Sequence, residues 1–249
     1  MRINRQHNVN YPFYMEFFHN KIYSSAAACA KNDSVTRCNL KMFWCYKKMV
    51  NEVTKELKQG GNVCQFGINF GNLIDEVAIS IGNYGIYDII DINPLELKRI
   101  RDKYGDLYKQ IALIQDDIAF LNVKAIRDNV ICFMLLSMVP DSYKRKIIDN
   151  ALLMLKPNGK AIFIDWGRPK KYNVLGWGVK MYQQLYRPLT DKLHDVSIKS
   201  MSSYAYSDEF IWQQTGYLGG LLQKVVVTRR EIALPKSSTS KINPKSSKI

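Results

Sequence analysis

The chain has 249 residues, 47% of them hydrophobic, and a formal net charge of +14 from 36 Lys plus Arg against 22 Asp plus Glu. That hydrophobic share suffices for a full core and excludes wholesale disorder, and no apolar run approaches the roughly eighteen residues of a membrane-spanning helix. His7, His19 and His194 stand alone and the five cysteines form no CxxC pair, which excludes a zinc constellation of recognisable spacing and points to reduced, packed thiols.

Residues 1–58 are expected to be helical and to cap the C-terminal strand edge of the sheet that follows. Tyr11–Tyr23 is aromatic-rich, and Leu40–Leu57 carries Met42, Phe43, Trp44, Tyr46, Met49, Val50, Val53 and Leu57. An aromatic stripe at helical spacing is core in the first instance, and this one could also touch a hydrophobic substrate. The N-terminus lacks the apolar centre of a secretory leader, so export is not expected, while a mitochondrial presequence stays open.

The stretch Asn62–Pro94 organises the rest. A short apolar run turns through Gly67-Ile68-Asn69-Phe70-Gly71, and Leu73, Ile74, Val77, Ala78 and Ile81 then recur at helical steps. A second apolar run, Gly85–Ile90, ends on Asp91. Strand, glycine turn, helix, strand and acid form the first half of a nucleotide-binding α/β domain. The turn lets backbone approach a ligand, the helix is expected to present unpaired N–H groups, and Asp91 can accept from two ribose hydroxyls.

A helix follows over Pro94–Tyr104, then a strand over Gln110–Leu113. The acids after it, Asp116 and Asp117, suit an adenine amino group and a helix N-cap equally well. Val130–Leu136 fits a strand covered on both faces, and Pro140–Leu155 an amphipathic helix closed by Lys156-Pro157-Asn158-Gly159. Lys160–Asp165 is the fifth strand. Asp165 ends it where open α/β sheets hold their ligands, which makes it a candidate catalytic or metal-binding carboxylate, or else a turn former.

Trp166–Arg187 is aromatic and basic, as for a helix at a membrane interface or one packed on the sheet. Within it, Arg168 suits a carbonyl to be polarised or a lipid phosphate. Ser207 reads as the N-cap of a helix through Gln214, with Gly216-Tyr217 ending it, and Leu221–Arg229 as the last strand. The predicted fold is one Rossmann-like domain over 59–232, behind a helical cap at 1–58 and before a disordered basic tail at 233–249.

This order resembles the class I S-adenosylmethionine-dependent methyltransferases. The resemblance rests on the glycine turn at 67–71, Asp91, Asp116-Asp117, the stretch LLMLKPNGKAIFID and Gly216-Tyr217, over roughly residues 60–230. It implies a mostly parallel sheet with helices on both faces and S-adenosylmethionine as cofactor. Gly67, Asn69 and Gly71 would approach the methionine portion, Asp91 the ribose, and Asp116 or Asp117 the adenine.

Finer details are similar to the RquA family of rhodoquinone-biosynthesis proteins. They are Gln65 where ordinary members carry an acid, Phe70-Gly71, the phrase Asp91-Ile92-Asn93-Pro94, the run Leu135-Leu136 to Pro140, and Ile164-Asp165-Trp166-Gly167-Arg168-Pro169. The resemblance adds Gln65, Ile92 and Leu135 to the cofactor-binding set. It implies a divalent metal such as manganese and transfer of an amino group to ubiquinone. The family's His-Glu pair falls at Ser137 and Met138, and its later His at Gly167.

A lipophilic quinone substrate and peripheral contact with an anionic membrane follow, on the cytoplasmic face of an inner membrane or the matrix face of a mitochondrial one. Nucleic acid is not expected, because no stacking platform with interleaved basic residues is visible. A conventional methyltransferase on a small molecule, lipid or RNA stays open, as does a S-adenosylmethionine-binding protein without catalysis.

Overall fold

The computed structural model describes residues 3–5, 12, 25, 27, 29, 32–105, 107–186 and 188–231. Apart from Pro12, the aromatic run Tyr11–Tyr23 lies outside the described residues, as does the tail at 233–249. In chain order the structure runs β1 (Ile3–Arg5), α1 (Val35–Lys41), α2 (Tyr46–Thr54), β2 (Asn62–Phe66), α3 (Leu73–Ile81), β3 (Ile86–Asp91), α4 (Pro94–Tyr104) and β4 (Ile111–Gln115). It continues with β5 (Arg127–Phe133), α5 (Asp141–Leu153), β6 (Leu155–Trp166), α6 (Val174–Tyr186), α7 (Asp191–Asp195), α8 (Ile198–Met201), β7 (Phe210–Tyr217) and β8 (Leu222–Arg229).

The strands form one eight-stranded sheet in the order β1-β4-β3-β2-β5-β6-β8-β7. All neighbours are parallel except β6–β8 and β8–β7, which are antiparallel. Alternate residues of the central strands point to opposite faces, as strand geometry requires. Val63, Ile89, Ile131, Phe133, Ile162 and Ile164 join α1–α4 in one core, while Cys64, Phe66, Val130, Cys132 and Phe163 join α5, α7 and α8 in the other. The sheet is thus covered on both faces. The five cysteines are free, four of them buried.

Two expectations are corrected. Ile3–Arg5, from the segment expected to be helical, is a strand that extends the sheet by pairing with Leu113–Gln115. Residues 207–214 are not a helix. Phe210–Tyr217 is an edge strand, with Gly216 opposite Gln223 and Tyr217 opposite Leu222. Ser207 does cap locally, but its Oγ accepts from the Glu209 N–H at 3.3 Å and closes a turn. The aromatic and β-branched side chains of Phe210, Ile211, Trp212 and Tyr217 favour a strand once β8 offers a partner.

Helix α2 is held on the sheet from two sides. Its buried stripe of Tyr46, Met49, Val50 and Val53 recurs at three- and four-residue steps. Glu52 on its outer face and Glu56 just beyond its end meet Lys224 of β8 at 3.1 and 2.8 Å, and Glu56 also meets Lys160 of β6 at 2.8 Å. Tyr46 reaches farther, into the glycine turn. Its hydroxyl accepts from the N–H groups of Asn72 and Leu73 at 2.9 and 3.1 Å and donates to the Phe70 carbonyl at 3.2 Å. The Gly71 N–H goes to Asp33 Oδ1 at 2.8 Å.

Gly71 is fixed by this contact. Its φ is +96°, and a Cβ there would stand 2.3 Å from the Tyr46 hydroxyl. Tyr46→Phe keeps the ring and strands two helix N–H groups, so it is expected to cost about 2 kcal/mol. Gly71→Ala should cost at least as much through strain and overpacking. Urea unfolding midpoints of the two variants check both, and wild-type midpoints would show that the hydroxyl contact is dispensable.

Candidate functional site

β2 and β5 are neighbours in the sheet, but the chain leaves β2 for β3 on one side and β5 for β6 on the other. Their carboxyl ends diverge there, at the switch point where open α/β sheets bind ligands. A cleft lies at that point. Gly67 and Asn69 line it after β2, Asp91 and Ile92 after β3, Asp117 after β4, and Leu135 after β5. Six of the sequence candidates are therefore brought to one place from four strands. Gly67, at φ +76°, would place a Cβ 3.0 Å from the Leu135 side chain, so glycine keeps this wall thin.

Asp91 sits deep under the turn with part of its surface on the cleft. Its Oδ2 accepts from the Ile68 N–H at 2.6 Å and its Oδ1 from the Asn93 N–H at 2.7 Å. Burial pushes its carboxyl up to about 7, against the two backbone bonds that pull it down. Each oxygen keeps a lone pair for a further donor. Asp117 takes the N-cap role that the sequence allowed and also stands on the cleft. Its Oδ1 caps a short 3-10 turn by accepting from the Ala119 N–H at 2.9 Å, and the residue still lines the cleft. Burial raises its carboxyl from the ordinary value.

The other candidates stand elsewhere. Gln65 is fully buried beneath the turn, where its Nε2 donates to the Gly67 carbonyl at 2.8 Å and its Oε1 accepts from the Tyr87 hydroxyl. Gly71 packs on Tyr46, away from the cleft lining. The helix N–H groups expected to await a ligand are those taken by Asp33 and Tyr46. Asp116 lies behind Asp117, whose N–H its Oδ1 accepts at 2.8 Å.

Neither residue expected to be catalytic lines a cleft. Asp165 is 1% exposed, and its oxygens accept from the backbone N–H groups of Ser137 and Trp166 at 3.1 and 2.8 Å. It ties the end of β6 to the loop after β5, a structural task that its position at a strand end did not reveal. Burial pushes its carboxyl up to about 6. Arg168 is exposed on the surface.

Residues passed over in the sequence complete the site. Asn93 is buried and lines the cleft. Its Oδ1 caps α4 by accepting from the Leu95 N–H at 2.9 Å, whereas its buried Nδ2 has no partner among the described residues. The N-cap signal before Pro94 was legible; the orphaned donor was not. Beyond Ile68, Asn69, Met134 and Met138, which line both, the small cleft adjoins a broader one. Phe43, Phe70, Phe133, Trp166, Val179 and Tyr182 make most of its wall apolar. Its polar members include the buried Ser137 and Gln183. Gln183 Oε1 pairs with His194 Nε2 at 2.6 Å, and His194 Nδ1 meets the Gly167 carbonyl at 2.7 Å. An imidazole thus packs against Gly167 from another part of the chain.

No family model matches the chain, and no curated protein is found similar in sequence. Solved structures do match in shape. A putative rRNA methylase from Clostridium thermocellum is 14% identical, with TM-score 0.52 over 75% of this chain and 96% of that one. A SAM-dependent methyltransferase from Aquifex aeolicus is 14% identical, with TM-score 0.53 over 82% and 98%. Human N-acetylserotonin methyltransferase, solved in complex with SAM, is 15% identical, with TM-score 0.58 over 87% of this chain and 60% of that one. The fold is that of the Rossmann-like, class I methyltransferases.

The residues present fit the cofactor this fold implies. The orphaned Asn93 donor, the Asp91 carboxylate and the thin wall at Gly67 face one cleft. They do not fit a resident divalent metal: among the described residues no group of three His, Cys, Asp or Glu could hold one.

The buried acid at Asp165 carries a pH signature. Its folded pKa, about 6, lies above the unfolded value of about 3.9, so the folded state holds the proton longer and stability falls as pH rises through that window. Wild type is expected to lose up to about 3 kcal/mol more than Asp165→Asn between about pH 4 and about pH 6.5. Urea titrations of both proteins across that range check it, and parallel slopes would place the carboxyl in solvent.

Proposed function

We propose that the chain is a SAM-dependent transferase whose acceptor is a lipophilic, ring-bearing molecule of the quinone class. The observation that carries this reading is the junction of the two clefts, where a crevice bearing Asp91, Asn93 and Asp117 opens through Asn69 and Met134 into a broader, aromatic-walled cavity. S-adenosylmethionine, when bound, supplies an electrophilic carbon beside its sulfonium, or an amino group in the rhodoquinone-type reading.

The protein's own part is binding, orientation and exclusion of water. Asp91 would accept from the ribose hydroxyls, the Asn93 Nδ2 would donate, and Asp117 would accept from the adenine amino group. Ile92 and Leu135 would pack on the rings. Phe70, Phe133 and Trp166 would hold the acceptor ring against the junction, with Ser137 and Gln183 offering polar contacts to its oxygens. No carboxylate or imidazole lines the larger cleft among the residues described there. Proximity and desolvation would therefore carry the transfer, effects that supply as much as about 7–11 kcal/mol in well-oriented systems.

Amino transfer to ubiquinone is the finer reading, taken with peripheral membrane contact on the cytoplasmic or matrix face. One observation favours conventional methyl transfer as a second reading. The Gln65 amide is spent on Gly67 and Tyr87, so the residue that sets the amino-transferring family apart does not reach the cleft.

Two measurements test this. Calorimetry with purified protein should show SAM binding that Asp91→Ala weakens at least about tenfold, as loss of a charged hydrogen-bond acceptor requires. Mass spectrometry of quinones from a ubiquinone-making bacterium should show a new amino- or methyl-bearing quinone with wild type and none with Asp91→Ala. SAM binding unchanged in Asp91→Ala would remove the cofactor assignment. Binding without any new quinone would remove the acceptor class.

A further inference from the structure

The net charge of +14 is not spread evenly. Residues 34–51 and 166–190, the two segments that frame the larger cleft, hold nine Lys and Arg and not one acid. The tail from Pro235 holds four further lysines and no acid, so the remainder of the chain is close to neutral. Arg37, Lys41, Lys47, Arg168, Lys170 and Lys171 are exposed. The charge that the composition reports as a property of the whole protein falls mostly in these two stretches and the tail, and of the two stretches' cations Lys180 is paired with Asp195 at 2.7 Å.

The same mouth is rimmed by apolar side chains turned to solvent. Leu40 is 61% exposed on one side, and Val174 and Leu175 are 83% and 62% exposed on the other, all on the framing segments. Tyr172, one turn before, is 95% exposed. Trp44 is 74% exposed and is held there at a cost: it and Phe43 are consecutive non-glycine residues in the left-handed region, at φ +60° and +52°. Such backbone is retained where the surroundings enforce it and marks functional sites. Here it sends Phe43 into the cleft and Trp44 out beside it.

We infer that this rim is a docking surface for an anionic lipid bilayer, and that the larger cleft opens onto the membrane. The inference rests on the proposed lipophilic acceptor and names the route by which it arrives. Trp and Tyr favour the headgroup level, Leu and Val the acyl boundary, and the exposed Lys and Arg side chains the phosphates of anionic lipids. With the rim seated, a quinone dissolved in the bilayer reaches the cleft between Phe43 and Tyr182 without crossing water.

Co-sedimentation of the full chain with vesicles tests this, using phosphatidylcholine with and without phosphatidylglycerol, at low and high salt. Wild type should sediment with the anionic vesicles only and be released by salt, as screened charges require. Trp44→Ser with Leu175→Glu, both at exposed positions, should lower the bound fraction about tenfold, since two apolar anchors are lost. A chain ending at residue 234 should keep most of its binding. Wild-type sedimentation by the double variant, or loss of binding on removal of the tail alone, would overturn the inference in favour of the tail. No sedimentation of wild type would overturn it outright. SAM calorimetry on the same double variant keeps the two readings apart, because intact cofactor binding with lost sedimentation implicates the rim and not the site.

Discussion

The N-terminus of α3 imposes the constraint on which the site depends. A helix that starts at a glycine turn leaves N–H groups that need acceptors, and in many nucleotide-binding folds a ligand supplies them. Here the protein does so. The Tyr46 hydroxyl and the Asp33 carboxylate, both from the segment before the second strand, take the N–H groups of Gly71, Asn72 and Leu73. The N-terminal helices are therefore locked to the turn by polar contacts as well as by apolar packing. The ligand space is pushed toward Gly67, Asn69 and the ends of β3 and β5.

That lock extends outward. Asp33 also pairs with Arg99 at 2.6 Å and Lys103 at 2.9 Å of α4, and Arg99 pairs with the buried Glu96 at 2.6 Å. The mutual pairing keeps these buried charges from being stranded, a condition for tolerating them at all. It also joins the cap to α4, whose first turn carries the Asn93 cap beside Asp91. The segment before β2 is thus tied by ion pairs to the helix that begins beside the two cleft-lining residues Asp91 and Asn93. The cap, with Met42, Phe43 and Tyr46, forms one wall of the larger cleft.

The two clefts differ in the side chains they present. The smaller has acids and an unpaired amide facing a crevice at the switch point, as a polar cofactor with ribose and adenine needs. The larger has aromatic and thioether walls with few polar groups, and its mouth is basic and apolar together. Asp165, at the end of β6, braces the loop after β5 by accepting the Ser137 N–H, and so holds the wall the two clefts share.

Much of this was legible from residue pattern alone. Helix α3 was marked by Leu73, Ile74, Val77, Ala78 and Ile81, and all five are buried. Helix α4 runs over Pro94–Tyr104 as its proline and charge pattern indicated. Asp91 ends β3, and the alternation of strands and helices fixes an α/β sheet, because local periodicity and turn chemistry determine element type and order. What sequence could not determine were relations between segments. Phe210–Tyr217 became a strand because β8 lay ready to pair with it. Gln65 became structural because Tyr87 stood across the sheet, and Gly71 was closed to ligand because Tyr46 arrived from a helix 25 positions earlier in the numbering. The acid-free mouth was visible as two separate stretches of sequence, but only the tertiary structure set them on either side of one cleft, since proximity between distant segments is decided by packing and leaves no periodic trace in the chain.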